Sequence, residues 1–310
     1  MMSNTIQDCS VDHISVCICT FKRPDMLANA LDGIVAQVSD AAFTYEVVVV
    51  DNDSYRTAED TVHRFQSHDV LKIIYACEPE QNIALARNMA IQYATGNYIA
   101  FLDDDECPVN DWLIRLYHTM KTYKAAGILG PVLPYYPPES PEWLIKGNIF
   151  DRRRFPTGNS LTVRDTRTGN VLLARCIKEG HTWFDPAFGR TGGEDVNFFS
   201  KKIAEGHVFV WCDEAVVYET IPPERCKTTF HLKKFFRIGT LNGERLRRNS
   251  IATGLMGFVK TIAPVPIWFV LLLCSFPFGK HKWIRPVLKL TYSISCILAY
   301  CGLSLLRHRD

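Results

Sequence analysis

Three consecutive aspartates, Asp103, Asp104 and Asp105, directly follow an apolar stretch at residues 98–102. Adjacent carboxylates repel one another and raise each other's pKa, so this run predicts a cation nearby. On an extended backbone the side chains of Asp103 and Asp105 lie on the same side, where both can bind one divalent ion. Carboxylate oxygens suit Mg²⁺ or Mn²⁺, which also bind substrate phosphates. The alternative is an acidic N-terminal cap for a helix predicted to begin at Trp112.

A second acidic pair, Glu194 and Asp195, follows Gly192 and Gly193 and opens a predicted helix. One carboxylate placed there can take the proton from an attacking hydroxyl group and act as a general base. Helix capping explains the same pair equally well.

Further candidate ligands stand where predicted strands end. Asp51 and Asp53 follow the second strand, where a carboxylate can accept hydrogen bonds from a base or a ribose. Thr20 and Arg23 stand at the end of the first strand. Arg87 is a lone cation on an otherwise apolar helix, and it can pair with a phosphate or, as a structural ion pair, with the triple acid.

The elements that must position these side chains alternate in type. Apolar, β-rich runs occur at residues 14–20, 45–50, 71–75 and 98–102, and helical periodicity occurs at 26–38, 82–93 and 112–123. Such alternation predicts an α/β fold with a doubly wound, mainly parallel sheet, whose ligands bind beyond the carboxyl ends of the strands. Residues 161–163 and 171–174 are expected to form a β-hairpin.

Composition narrows the class of protein. The 310 residues are 47% hydrophobic and carry a net charge of only +2, which predicts a folded protein without a general attraction to nucleic acid. The eleven cysteines show no metal-binding spacing, and residues 1–12 show no signal peptide. We therefore expect reduced thiols and a cytosolic catalytic part.

The last sixty residues change character. Residues 261–278 and 290–306 are uncharged and apolar, the first is interrupted by prolines, and basic side chains flank both. Two full spans would carry the basic residues 280–285 across the membrane, so we favour a re-entrant or interfacial attachment to anionic headgroups. The alternative is a buried helical pair of a soluble protein.

Five ordered motifs carry a resemblance to a known family. They are residues 15–24, 48–54, 82–88, 96–106 and 192–195. In this order they resemble the motifs of family 2 glycosyltransferases, and the similarity covers roughly residues 14–220. It implies a GT-A fold: residues 1–130 as the nucleotide-sugar-binding half, 131–250 as the acceptor and catalytic-base half, and 251–310 as a C-terminal apolar helical region that associates with the membrane.

The resemblance also implies roles for individual residues. Asp195 would be the base, supported by Glu194. Asp51 would contact uracil or ribose. Together with the candidates named above, the expected donor-binding set is Thr20, Arg23, Asp51, Asp53, Arg87, Asp103, Asp104 and Arg237. The expected metal ligands are Asp105, Asp103 and Glu219. Many relatives have a histidine where Glu219 stands, so water and phosphate are alternative ligands. Arg237 either closes over the diphosphate or faces lipid.

The activity implied by the resemblance is an inverting, metal-dependent transfer of a hexose. The expected donor is UDP-glucose, and the expected acceptor is an undecaprenyl-diphosphate-linked oligosaccharide of exopolysaccharide synthesis, at the cytoplasmic face of the bacterial inner membrane. One alternative is a non-catalytic sugar-nucleotide-binding scaffold. A nucleotidyltransferase is a second, although residues 21–24 offer no glycine-rich phosphate loop. A processive synthase is a third, but it needs more spans than this tail offers.

Overall fold

The computed structural model describes residues 11–67, 71–178, 180–190 and 192–303. The chain divides into two compact units. The first comprises the chain up to Pro134 together with Arg152–Thr220, and the second comprises Tyr135–Asp151 and the chain from Ile221 onward. The three-part division expected from the resemblance stays a prediction.

Ten strands and ten α-helices make up the described part of the chain. The strands are β1 (Asp12–Thr20), β2 (Phe43–Asp51), β3 (Ile73–Cys77), β4 (Tyr98–Asp103), β5 (Glu106–Pro108), β6 (Gly127–Leu129), β7 (Val132–Tyr135), β8 (Val171–Ala174), β9 (Phe209–Trp211) and β10 (Val217–Thr220). The helices are α1 (Pro24–Val35), α2 (Glu59–Gln66), α3 (Ile83–Tyr93), α4 (Trp112–Tyr123), α5 (Glu142–Lys146), α6 (Glu194–Ala204), α7 (Thr228–Arg248), α8 (Ile251–Ile262), α9 (Val265–Ser275) and α10 (Lys280–Tyr300).

Seven strands form one sheet in the order β3-β2-β1-β4-β8-β6-β9, and β5, β10 and β7 form a second, smaller sheet. Neighbouring strands run parallel except at β8, which is antiparallel to both β4 and β6. Side chains of α1 and α4 pack in the apolar core on one face, and those of α3 and α6 pack in the core on the other. The predicted doubly wound, mainly parallel sheet is therefore confirmed.

The valine run of β2 shows why this sheet forms. Residues 47–50 are fully buried and alternate between the two cores, as expected for a strand covered by helices on both faces. The predicted hairpin is wrong. Val171–Ala174 pairs with β4 and β6, and Val163–Asp165 forms a 3₁₀ turn. The apolar residues of β8 gain more burial between two strands than in a hairpin at the surface.

One buried charge also fixes the sheet. Glu46 of β2 has a fully buried side chain that accepts hydrogen bonds from Ser15 (2.8 Å), Lys72 (2.6 Å) and Thr95 (2.7 Å and 2.8 Å). Burial alone raises the pKa of this carboxyl, but the hydrogen bonds outweigh it and lower the pKa to about 2. Glu46 therefore joins β1, β2, the chain before β3 and the chain before β4.

The second unit is mainly helical, and its most extensive helix–helix interface is the one between α7 and α10. A Cβ atom on Gly239 would lie 2.0 Å from Ser295 Oγ, and one on Gly243 would lie 2.3 Å from the Cys296 carbonyl oxygen. Glycines four residues apart thus let the two helices approach closely, in a pattern common among membrane helices. Much of the second apolar stretch, residues 290–300, is consequently packed against α7.

The first apolar stretch is different, because its side chains face outward. Among the described residues, Ile251–Phe278 is the one helical stretch long and apolar enough to cross a bilayer, and only 6% of its most apolar window is buried. This helical stretch is interrupted by a turn at Ala263 and Pro264, which separates α8 from α9. A C-terminal apolar helical region is therefore present as predicted.

Candidate functional site

The candidate site lies at the carboxyl ends of the parallel strands. Thr20 at the end of β1 is in register with Asp51 at the end of β2, and Cys19 is in register with Asp103 at the end of β4. The sequence pattern placed these strand ends at one edge of the sheet, and the structure confirms this.

The triple acid is not extended. Asp103 ends β4, Asp104 and Asp105 form a turn, and Glu106 begins β5 in the other sheet. The expectation that Asp103 and Asp105 share one side of an extended strand is therefore wrong. The chain has to change direction here because β4 pairs in the large sheet and β5 pairs with β10 in the small one.

Residues of the first strand and its loop hold this turn. Thr20 Oγ1 donates to Asp104 Oδ2 at 2.8 Å, and Arg23 Nη1 donates to Asp104 Oδ1 at 3.0 Å and to Asp105 Oδ2 at 3.3 Å. Asp104 and Asp105 are both buried, whereas the side chain of Asp103 is 48% exposed. Thr20 and Arg23, predicted as donor ligands, thus contact the acidic turn directly.

The electrostatics of the turn fit a cation. Burial, together with the charges of Asp103, Asp104 and Glu219, raises the pKa of Asp105 to about 6, because Arg23 offsets these effects only in part. Burial and the charge of Asp103 also raise the pKa of Glu106. The described residues contain no ready-made group of three or more metal-binding side chains. Asp103 and Asp105 could hold a divalent ion only if water or substrate phosphates complete its coordination.

Asp51 and Asp53 differ in how far the protein satisfies them. The buried carboxylate of Asp51 accepts hydrogen bonds from Asp53 N (3.1 Å), Ala58 N (2.8 Å) and the Tyr75 hydroxyl (3.2 Å). Asp53 Oδ1 accepts from Tyr55 N at 3.3 Å. Asp53 Oδ2 is buried and has no hydrogen-bond partner among the described residues. Of the two carboxylates, Asp53 has the free acceptor.

Arg87 connects the two acidic sites that the sequence shows separately. It lies on α3 and forms an ion pair with Glu194 at the start of α6, and its Nη2 atom is 3.7 Å from Asp103 Oδ1. The side chains of Arg87 and Glu194 are only 10% and 7% exposed. Of the two alternatives for Arg87, the structure therefore shows the ion pair. The second carboxylate oxygen of Glu194, Oε2, has no hydrogen-bond partner in the described part of the chain.

Asp195 stands in the first turn of α6, behind two glycines. Gly192 and Gly193 have φ values of 85° and 101°, a region that other L-residues rarely adopt. The side chain of Asp195 is partly exposed, and its Oδ1 atom accepts from Val196 N at 2.7 Å. A carboxylate that is reachable from solvent in this way can accept a proton from an approaching hydroxyl group.

Two asparagines, which were not predicted as site residues, form hydrogen bonds to the segment that precedes α6. Asn82 caps α3 and donates from Nδ2 to the Pro186 carbonyl at 3.0 Å. Asn88 accepts from the amides of Trp183 (2.8 Å) and Phe184 (2.9 Å) and donates to the Phe184 carbonyl at 2.7 Å. Their position in the same motif as Arg87, residues 82–88, is the sequence feature that could have identified them.

Glu219, predicted as a metal ligand, lies on β10 and accepts a hydrogen bond from Arg152. Arg152 and a second guanidinium, Arg167, were missed, because both stand in irregular chain far in sequence from the acids. Arg237, predicted as a donor ligand, is an exposed residue of α7 in the second unit.

Comparison with known proteins gives a consistent set of relatives. A family model described as "Glycosyl transferase family 2" matches residues 15–177. The chain is 34% identical over 236 residues to the succinoglycan biosynthesis protein ExoM of Rhizobium meliloti, covering 76% of this chain and 75% of that protein. It is 25% identical to the chondroitin synthase of Escherichia coli, covering 69% of this chain but only 35% of the synthase.

Solved structures with similar folds include two with bound donors. The mannosyltransferase PcManGT from Pyrobaculum calidifontis, in complex with GDP-Man and Mn²⁺, has a TM-score of 0.59 at 17% identity and covers 94% of this chain and 88% of that one. S. aureus TarS 1–349, in complex with UDP-GlcNAc, has a TM-score of 0.56 at 14% identity and covers 95% and 93%.

Proposed function

Because the chain belongs to glycosyltransferase family 2 and has the GT-A fold, we propose that it transfers glucose from UDP-glucose, with inversion, to a lipid-linked oligosaccharide. The proposed acceptor is a sugar hydroxyl of an undecaprenyl-diphosphate-linked oligosaccharide. The proposed setting is exopolysaccharide synthesis, in keeping with the similarity to a succinoglycan biosynthesis protein.

The observation that carries this proposal is the position of Arg87. One guanidinium contacts both Asp103 of the acidic turn and Glu194 beside Asp195. The proposed donor site and the proposed base therefore lie within the reach of one side chain. A single displacement needs this proximity, because the acceptor hydroxyl must meet the anomeric carbon with its base already in place.

Asp195 is proposed as the general base. It would accept the proton of the acceptor hydroxyl as the oxygen attacks the anomeric carbon from the face opposite the diphosphate, and an α-linked donor would give a β-linked product. Glu194, held by Arg87, would keep the first turn of α6 and hence Asp195 in position.

The donor would lie along the strand ends. The free, buried oxygen of Asp53 suits an N–H donor or a hydroxyl of the nucleoside, and Asp51 would support the turn that carries it. Asp103 and Asp105 would hold Mg²⁺ or Mn²⁺, which when bound supplies positive charge to the departing diphosphate. Glu219 is the proposed third protein ligand, although it is already hydrogen-bonded to Arg152.

The C-terminal region is proposed to attach the enzyme to the cytoplasmic face of the bacterial inner membrane. Apolar side chains of α8 and α9 are exposed, among them Ile251 (89%) and Phe269 (55%). The basic segment after α9 is held by the second unit itself, because Arg285 Nη2 donates to the Asn148 carbonyl at 2.8 Å and Lys280 Nζ donates to Thr228 Oγ1 at 2.5 Å. These contacts favour a re-entrant or interfacial helix pair over a two-span hairpin.

Calorimetric titration of the full chain tests the donor. UDP-glucose, UDP-galactose, UDP-N-acetylglucosamine and GDP-mannose are each titrated with Mn²⁺ and with EDTA. We expect binding of UDP-glucose that depends on Mn²⁺. Binding of only another donor would overturn the assignment of glucose. Binding without turnover, in the presence of lipid-linked acceptors, would support a non-catalytic scaffold instead.

A further inference from the structure

A loop of the first unit brings a further guanidinium, that of Arg167, close to the acidic turn. The loop is residues 165–170, just before β8, and Asn170 fixes its end. The buried Asn170 side chain accepts from Trp112 Nε1 at 2.7 Å and donates to the carbonyls of Pro131 (2.9 Å) and Ala215 (2.8 Å). These bonds leave the loop little freedom.

The loop passes directly against the carboxylates. A Cβ atom on Gly169 would lie 2.8 Å from Glu106 Oε1 and 2.9 Å from Asp103 Oδ2. Only glycine lets the backbone approach these oxygens so closely. Because β8 pairs antiparallel with β4, this loop lies at the strand end where Asp103 stands.

Arg167 lies two residues before Gly169, within the electrostatic field of Asp103, Glu106 and Glu219. Among the described residues its guanidinium forms no hydrogen bond and no ion pair, in contrast to Arg152, which binds Glu219. Burial and the neighbouring charge of Arg152 lower the pKa of Arg167. Two guanidinium groups thus repel each other beside the proposed metal ligands, and an anion that contacts both would relieve that repulsion.

We propose that Arg167 binds the diphosphate of the donor nucleotide, with Arg152 beside it. The planar fork of a guanidinium matches two phosphate oxygens, and the adjacent Asp103 is where a phosphate-bound divalent ion would sit. The inference rests on the proposed function and adds a binding residue to it. The lipid-linked acceptor is a second source of diphosphate, so the experiment has to separate the two.

The test compares Arg167→Gln with the wild-type chain and with Arg164→Gln. Arg164 is an exposed arginine three residues earlier in the chain. Calorimetry measures the dissociation constants of UDP, of uridine and of inorganic pyrophosphate, each with Mn²⁺. Because charge-assisted hydrogen bonds to phosphate are lost, Arg167→Gln should weaken the binding of UDP and of pyrophosphate about 10- to 100-fold. The affinity for uridine should change by less than about 2-fold. Arg164→Gln should bind all three as the wild type does.

Other outcomes overturn the proposal. An equal loss of UDP and uridine would mean that Arg167 only shapes the fold, and unchanged UDP affinity would mean that it only neutralises Glu106 and Glu219. Normal UDP binding with weaker binding of a polyprenyl diphosphate would assign it to the acceptor instead. If Arg167→Gln does not fold, Arg167→Lys replaces it, because lysine keeps the charge but lacks the planar fork. A loss of UDP affinity without a loss of uridine affinity in that variant supports the proposal, and an equal loss of both overturns it.

Failure of the proposed function gives a different result. If wild-type protein binds pyrophosphate but no uridine nucleotide, the donor class is wrong, and the comparison of pyrophosphate affinity between wild type and Arg167→Gln still tests the site. Absence of both pyrophosphate and UDP binding in the wild type would refute the diphosphate site itself.

Discussion

Replacing Arg87 with methionine should destabilise the first unit strongly, because it leaves a carboxylate unpaired in the interior. The side chains of Arg87 and Glu194 are 10% and 7% exposed, so water cannot replace the lost partner. Breaking one side of such a pair costs about 3–5 kcal/mol of unfolding free energy. Methionine keeps much of the apolar stem of arginine, so most of this loss comes from the charge.

A double-mutant cycle isolates that charge effect. Arg87→Met combined with Glu194→Gln removes both charges, and we expect the double variant to be at least about 2 kcal/mol more stable than Arg87→Met alone. Urea denaturation followed by tryptophan fluorescence measures each free energy of unfolding. Arg154→Met is the matched control, because Arg154 and Asp213 form an exposed ion pair and its loss should cost at most about 1 kcal/mol.

The cycle can contradict the structural reasoning in two ways. If Arg87→Met costs no more than the Arg154 control, the ion pair is not buried as described. If the two substitutions simply add, the charges do not interact, and Arg87 does not hold the start of α6.

Four further predictions concern the base, the cation, the acid response and the helix contact. Asp195→Asn should reduce turnover roughly 10²- to 10⁴-fold and leave UDP-sugar affinity within about 3-fold in calorimetry, whereas near-normal turnover would remove it from the base role. Asp105 should titrate near pH 6, so Mn²⁺-dependent donor binding should weaken as the pH falls from 7 to 5, and Asp105→Asn should bind weakly at both values. Glu46, whose pKa is lowered to about 2 on folding, should contribute roughly 3 kcal/mol of stability that is present above its unfolded pKa and is lost as the pH falls from about 4.5 toward 2; Glu46→Gln should flatten that part of the pH–stability curve measured by urea denaturation. Gly243→Leu should separate α7 from α10, and an unchanged melting temperature would contradict the close approach at Cys296.

Local sequence patterns were sufficient to predict the parallel strands β1, β2 and β4 and the residues at their ends, but not the place of β8 in the sheet. Apolar runs followed by polar residues gave β1, β2 and β4, and the handedness and direction of parallel strands then brought Thr20, Asp51 and Asp103 to one edge. The turn at Asp104 and Asp105 was not predictable in this way, because it depends on β5 pairing with β10, more than a hundred residues away.

The missed site residues share one physical cause. Arg152, Arg167 and Asn170 lie in irregular chain, where neither helical nor strand periodicity marks which side faces the protein. Their importance comes from charges and carbonyls contributed by distant segments. The α7–α10 contact was missed for a related reason, because hydropathy alone does not distinguish an apolar helix packed on glycines from one that meets lipid.

The contacts of Asn88 have a consequence for how such enzymes diversify. All three join the asparagine to backbone atoms of Trp183 and Phe184, and none depends on a side chain of that segment. Because Asn88 contacts only the backbone, a substitution of Trp183 or Phe184 leaves these hydrogen bonds possible, although it changes the apolar core in which both side chains are buried. The attachment of this segment to α3 is thus encoded in one asparagine of the helix, so the side chains of the segment can change during evolution while its attachment is kept.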